Sequence, residues 1–303
     1  MRFNWKRLGL IAGLSLSLVA AGCGSAEEEA ETDTATDENT EETASVDGEE
    51  IELTYVEWDT EVASTHVVGK VLEDMGYDVT LTPLDNSVMW NSVATGEADG
   101  SVAAWVPLTH ESQIEEYGDQ VEHLGPNLEG AKIGMVVPEY MDVDSIEDLS
   151  DEADQIITGI EPGAGVVAAS EQALEDYDNL SDWEVVTSSS GAMTTELGQA
   201  YDSEEEIVVS GWSPHWKFQT YDLKYLEDPE GSYGEAETID TFVREGLEED
   251  LPEAYQVLDN FYWETDDMEA VMLDISEGAD PVDAAADWVE ENQDKVDEWT
   301  EIE

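Results

Sequence analysis

From Ile51 onward, apolar and polar positions follow two different periods, and the periods take turns. The run IELTYVEW (51–58) alternates as a strand does, STHVVGKVLEDMGY (64–77) repeats as an amphipathic helix closed by Gly76, and DVTLTPL (78–84) alternates again. A helix over SVMWNSVATGEAD (87–99) and a strand over GSVAAW (100–105) complete the first set. Strand, helix, strand, helix, strand is the order of a mainly parallel sheet covered by helices. IGMVVP (133–138) then reads as a strand crossing to a second set of the same kind. That set comprises QIITGIE (155–161), a helix over 165–177, WEVVTSS (183–189), a helix over 192–201 and EIVVSGW (206–212). Two α/β units joined by a crossing strand predict two lobes around a cleft. The remainder, 239–303, reads as helical, with Trp288, Val296 and Trp299 at helical spacing and facing the core.

In open α/β sheets, ligands sit beyond the carboxyl ends of the strands. That rule selects Trp58 at the end of the first strand, Trp105 at the end of the third and Trp212 at the end of the last, with Gly163 to Val166 following the first strand of the second set. One Trp so placed is ordinary packing. Three make a box of indoles, which suits a cation unable to donate hydrogen bonds, because the negative π faces attract it. EPGAGVVAAS (161–170) is a turn followed by a helix start, so the backbone N–H groups of Gly165 and Val166 would face an anion there. His110, five residues after Trp105, is a candidate donor to the same anion. Trp90, Trp183, Trp216, His66, His123 and His215 read instead as packing or surface residues.

Ahead of this body lie two segments of different composition. Residues 1–22 carry Arg2, Lys6 and Arg7 before a 14-residue apolar run from Leu8 to Ala21, shorter than the ~20 residues that span a bilayer. This is the layout of a signal peptide. It ends in AAGCGS, which resembles the bacterial lipobox and implies that Cys23 is lipidated and becomes the first mature residue. Residues 24–50 hold 12 Asp or Glu and no Lys or Arg, and read as part of a disordered acidic tether over 23–50. The expected organisation is a leader over 1–22, the tether over 23–50, a first lobe over 51–137, a second over 138–221, and a return to the first lobe over 222–303.

Charge changes the list of partners. With 77 Asp plus Glu against 9 Lys plus Arg, the net charge is −68, which makes nucleic acid and anionic lipid poor partners. The 10 Trp and 11 Tyr argue for a folded body rather than a disordered polyanion, one whose carboxylates are screened by concentrated salt. Cys23 is the only cysteine, so neither an intramolecular disulfide nor a thiolate metal cluster is available. SSSG (188–191) is no nucleophile elbow, and no EF-hand loop occurs. An exported hydrolase and a calcium-binding surface module remain as rivals from other classes; no catalytic residue, cofactor or metal is expected.

The runs YVEWDTEVASTHVVGKVLEDMGYDVTLTPL (55–84), AAWVPLTH (103–110), IEPGAG (160–165), SGWSPHWKF (210–218) and LKYLEDPEGSYGEAE (223–237) resemble the glycine betaine-binding proteins of bacterial ABC importers. The resemblance covers 51–299 and implies a periplasmic-binding-protein-like α/β fold with two lobes. It also implies a lipoprotein on the outer face of the cell membrane that delivers a betaine to permease and ATPase subunits. Carried over by motif, Trp58, Trp105 and Trp212 form the cage for the trimethylammonium, while His110 and the backbone of Gly165 and Val166 hold the carboxylate. Proline betaine, carnitine and choline are the alternative ligands. Some relatives place the glycine-turn half before the WD half; this chain has the reverse order, which moves the termini and keeps the cleft.

Overall fold

The computed structural model describes residues 46 and 48–302. The leader over 1–22, Cys23 and all but the end of the tether lie outside the described residues. The fold begins slightly before Ile51: the Gly48 N–H donates to the Gly76 carbonyl and the Asp78 N–H to that of Glu49.

The first unit runs β1 (Glu50–Tyr55), α1 (Asp59–Met75), β2 (Asp78–Pro83), α2 (Asn86–Ala94), β3 (Gly100–Val106) and a short α3 (Glu111–Tyr117). A long β4 (Val121–Pro138) follows. The second unit repeats the pattern with β5 (Ile156–Thr158), α4 (Gly165–Asp176), β6 (Glu184–Val186), α5 (Ser190–Ser203) and β7 (Val208–Ser213), then α6 (Lys217–Thr220) and β8 (Leu223–Tyr225). In each unit the middle strand of the parallel trio comes first in sequence. β1 lies between β2 and β3, and β5 between β6 and β7, giving the overall order β2-β1-β3-β9-β4-β7-β5-β6 with β9 (Glu237–Arg244) inserted. Both crossovers bury an apolar helix face on the sheet; on α1 that face includes Ala63, Val67, Val68, Val71 and Leu72.

One strand belongs to both lobes. Val121 to Ala131 of β4 pairs antiparallel with β9, whereas Lys132 to Val136 pairs with β7. The change of sheet therefore falls between Ala131 and Lys132, earlier than the lobe boundary expected at 137, and β8 still pairs with the end of β4 after the boundary expected at 221. Register shifts around Gly125, Pro126 and Gly130 bend β4 ahead of this point; both glycines have positive φ and Pro126 lacks an N–H.

The helical reading of 239–303 needs correction at its start. Ile239, Phe242 and Val243 have helix-like spacing, yet they lie in β9, which pairs antiparallel with β3 on one side and β4 on the other. Between two strands the backbone ladder outweighs a weak period, and Thr241, polar by pattern, is buried and accepts a hydrogen bond from Asn127 Nδ2 at 3.0 Å. Beyond it the segment is helical, with α7 (Leu247–Asp250), α8 (Pro252–Asn260), α9 (Thr265–Ser276), α10 (Pro281–Glu291) and α11 (Gln293–Trp299). Trp288 and Trp299 are buried and stacked with centroids 5.6 Å apart.

Few of the carboxylates have a cationic partner. Among the described residues Lys70, Lys224, Arg244 and Lys295 pair with Asp74, Asp144, Asp99 and Asp250, and Asp267 respectively. Like charges left to repel are screened within ~3 Å in molar salt. The melting temperature followed by circular dichroism should therefore rise by at least about 5 °C from dilute buffer to 1 M KCl, or roughly 2 kcal/mol for a domain of this size. A flat or falling curve would contradict a salt-adapted surface.

Candidate functional site

The three indoles arrive by different routes. β1 stops at Tyr55, and Trp58 is the N-cap residue of α1 with φ −97° and ψ 149°, so it opens a helix instead of ending the strand as expected. Trp105 is the penultimate residue of β3, and Trp212 is in β7. All three are buried. With Gly165, Val166, Glu61 and Thr109 they line one pocket.

Two of the indoles are pinned edge-on by acids. Trp58 Nε1 donates to Glu161 Oε2 at 2.9 Å, and Trp105 Nε1 donates to Glu61 Oε1 at 3.0 Å. A carboxyl oxygen accepting the N–H fixes the ring's orientation and leaves its π face for other contacts. Trp212 Nε1 has no partner among the described residues. Its ring is backed by Lys217, whose Nζ lies 4.3 Å from the ring centroid and donates to the Trp212 carbonyl at 3.3 Å.

At the other side α4 begins. Ala164 caps it in extended conformation without a side-chain hydrogen bond, and the N–H groups of Gly165 and Val166 have no partner among the described residues. They stand at the positive end of a helix. His110 Nδ1 accepts the Trp105 N–H at 3.0 Å, which places the ring proton on Nε2, a buried donor without a partner among the described residues. Burial lowers the His110 pKa to about 3, so at neutral pH the ring is an uncharged donor. His110 is not among the pocket-lining residues; it lies against Trp58, rings stacked at 24° with centroids 6.3 Å apart.

The lobes meet around this pocket. Thr109, after β3, places its carbonyl against Gly165 of α4, where a Cβ would come within 1.9 Å of the Thr109 oxygen. Buried Glu237 of β9 holds that loop, accepting the N–H groups of Leu108 and Thr109 at 2.7 and 2.9 Å and also the Thr109 hydroxyl. Asp59, beside Trp58, accepts from Trp216 Nε1 at 2.7 Å and from Ser190 Oγ at 2.9 Å, both in the second lobe. Burial would raise its pKa, but hydrogen bonds and charge from His215, with the Trp216 and Ser190 donors, hold Asp59 well below the usual carboxylate range. His215 is itself lowered to about 4 by burial and is neutral at pH 7, so Trp216 and Ser190 supply the hold that persists there.

Glu61 behaves oppositely. Burial raises its pKa to about 8, and hydrogen bonds from Trp105 and Thr60 only partly offset that. The sequence reading does not single out Glu61, Glu161, Asp59, Thr109 or Lys217. A signal existed for Glu61 alone, three residues after Trp58 at helix spacing. Among the residues read as packing, Trp90 stacks on Phe242 at 4.1 Å and Trp183 donates to the Ser150 carbonyl, whereas Trp216 and His215 stand at the lobe contact.

Comparison with known proteins adds three relatives. The family model for the substrate binding domain of ABC-type glycine betaine transport systems matches residues 49–291. A glycine betaine/carnitine transport binding protein of Listeria monocytogenes is 49% identical over 159 residues, 52% of this chain and 53% of that protein, so the match spans about half the relative's length. A lactococcal substrate-binding protein, solved closed with glycine betaine, is 56% identical over 84% of this chain and 100% of its own, with TM-score 0.82. A glycine betaine/L-proline-binding protein of Borrelia burgdorferi is 36% identical over 83% of this chain and 97% of its own, with TM-score 0.80.

Proposed function

Because the chain belongs to the family of substrate-binding domains of ABC-type glycine betaine transport systems, we propose that it is the extracytoplasmic binding subunit of an ABC importer and that it captures glycine betaine for osmoprotection. The observation that carries this reading is the pairing of an indole box with a helix N-terminus in one pocket. A zwitterion with a quaternary ammonium at one end and a carboxylate at the other matches both. The methyl groups offer no N–H to satisfy, and their positive charge is spread toward the π faces of Trp58, Trp105 and Trp212. The carboxylate accepts from the N–H groups of Gly165 and Val166, with His110 Nε2–H as a third donor. Cys23 carries the lipid, residues 24–50 tether the body to the outer face of the membrane, and the loaded protein meets permease and ATPase subunits. It binds and releases its ligand unchanged, so it is not an enzyme. Carnitine and proline betaine share both end groups and are the alternative ligands; choline has no carboxylate.

Calorimetric titration of the protein in high salt with glycine betaine, choline and glycine tests this. Glycine betaine should bind, and glycine, whose ammonium N–H groups would lose water without gaining acceptors among the indoles, should not. His110→Ala should weaken glycine betaine by about 1.5 to 3 kcal/mol, the loss of one donor to a charged acceptor, and leave choline nearly unchanged. Equal losses for both ligands would refute the assignment of His110 to the carboxylate.

A further inference from the structure

The betaine reading leaves one pocket group unused. Glu61 is 2% exposed, stands in the first turn of α1 and lines the pocket. None of the described ion pairs includes it. A buried carboxyl group without a cation is costly to keep ionised, and nothing about holding Trp105 requires an acid when a neutral acceptor would serve.

We propose that Glu61 is the counter-ion of the ligand's quaternary ammonium, giving up a proton to solvent as the cation enters and thereby selecting for positive charge. This rests on the betaine reading of the same pocket. The step is simple: the O–H bond of the Glu61 carboxyl breaks, the proton leaves to buffer base, and the carboxylate stays beside the cation with no bond formed to it. A quaternary nitrogen has no proton to lose, so any adjustment of charge falls on the protein.

The other titratable groups around the pocket are committed elsewhere. Asp59 on the same helix is bound to Ser190 and Trp216 and faces His215, which titrates near 4; Glu161 is bound to Trp58 and the Ser190 N–H, Glu237 to the N–H groups of Leu108 and Thr109, and Lys217, its pKa held well below the ordinary value by burial, to the Trp212 carbonyl on the far side of that ring. His110, packed on Trp58, titrates near 3, far from neutrality. With the lobes together and no cation in the pocket, burial holds the Glu61 carboxyl protonated up to about pH 8. A cation in the same pocket favours the ionised form. Affinity must then rise with pH through the window below about 8 and level off above it, since the ligand prefers the deprotonated form.

Calorimetry of wild-type protein with glycine betaine, at pH 6 to 9 in two buffers of different ionisation enthalpy, counts the protons. The expected result is release of most of one proton at pH 7, falling toward none at pH 9, with affinity improving about tenfold or more from pH 6 to pH 8. Glu61→Gln keeps an acceptor for Trp105 Nε1 but cannot titrate. It should flatten the pH profile and shrink, by about tenfold, the preference for glycine betaine over 3,3-dimethylbutanoate, the isostere that keeps the carboxylate and has a neutral tert-butyl group in place of the cation. Binding by wild type with no proton release and a flat profile overturns the proposal and leaves the betaine reading standing, as does a Gln variant that keeps the wild-type profile. Should the variant fail to fold, the wild-type proton count decides alone. Failure of wild type to bind either glycine betaine or choline overturns both.

Discussion

Gly165→Ala should lower the affinity for glycine betaine at least a hundredfold, about 2.8 kcal/mol, without lowering the thermal stability of the ligand-free protein. The added methyl would sit 1.9 Å from the Thr109 carbonyl oxygen and 2.7 Å from its carbon, and backbone cannot swing aside as a side chain does. Glu237 removes the remaining freedom by holding the N–H groups of Leu108 and Thr109. The clash exists only while the two lobes are together, because Thr109 belongs to one and Gly165 to the other. With the lobes apart, alanine is acceptable at the first position of α4 and a better helix former than glycine. The loss therefore falls on closure, and a ligand is bound tightly only in proportion to its preference for the closed state. Calorimetry for affinity and scanning fluorimetry for stability separate the two effects. Affinity within threefold of wild type would mean that closure does not need this contact; a large fall in ligand-free stability would mean that α4 itself was damaged.

The same contact shows where sequence reading stops. Strong periods make the two βαβαβ sets legible, and the strand-end rule selects Trp105 and Trp212, which do sit at the ends of strands and line one pocket. The rule selects Trp58 as a strand end, whereas it caps α1 three residues beyond β1. β9 reads as helix because Ile239, Phe242 and Val243 fall at i, i+3 and i+4, and only its two flanking strands reveal the ladder. Gly125, Pro126 and Gly130 look like strand breakers, yet they bend β4 so that one strand can serve both lobes. The acids that pin the indoles were hidden by abundance: among 77 carboxylates nothing marks Glu161 as the partner of Trp58, 103 residues away. Thr109 acts through its carbonyl oxygen, which every residue has.

The cage should fail in an order set by those pinning contacts. Each indole face contributes on the order of 1 to 2 kcal/mol to a desolvated cation. Trp→Ala at any of Trp58, Trp105 or Trp212 should therefore cost about tenfold or more in Kd for glycine betaine. At Trp58 and Trp105 the cost should be higher, because the lost N–H also strips Glu161 or Glu61 of its hydrogen bond, whereas Trp212 Nε1 satisfies no acceptor among the described residues. Trp→Phe keeps a smaller π face and no donor. At Trp212 it should recover part of the affinity lost in the alanine variant, and at Trp58 and Trp105 it should recover less, since the carboxyl oxygen that accepted the indole N–H stays without that donor. Trp183→Ala is the control: that indole is buried in the second lobe against the Ser150 carbonyl, outside the pocket, so the variant should melt earlier and bind as wild type does. Calorimetry on the three alanine and three phenylalanine variants, with the control alongside, reads the order directly. Wild-type affinity in all three alanine variants would remove the cage altogether. Equal losses at the three positions, with equal rescue by phenylalanine, would keep the cage and discard the part assigned to Glu161 and Glu61 in aiming it.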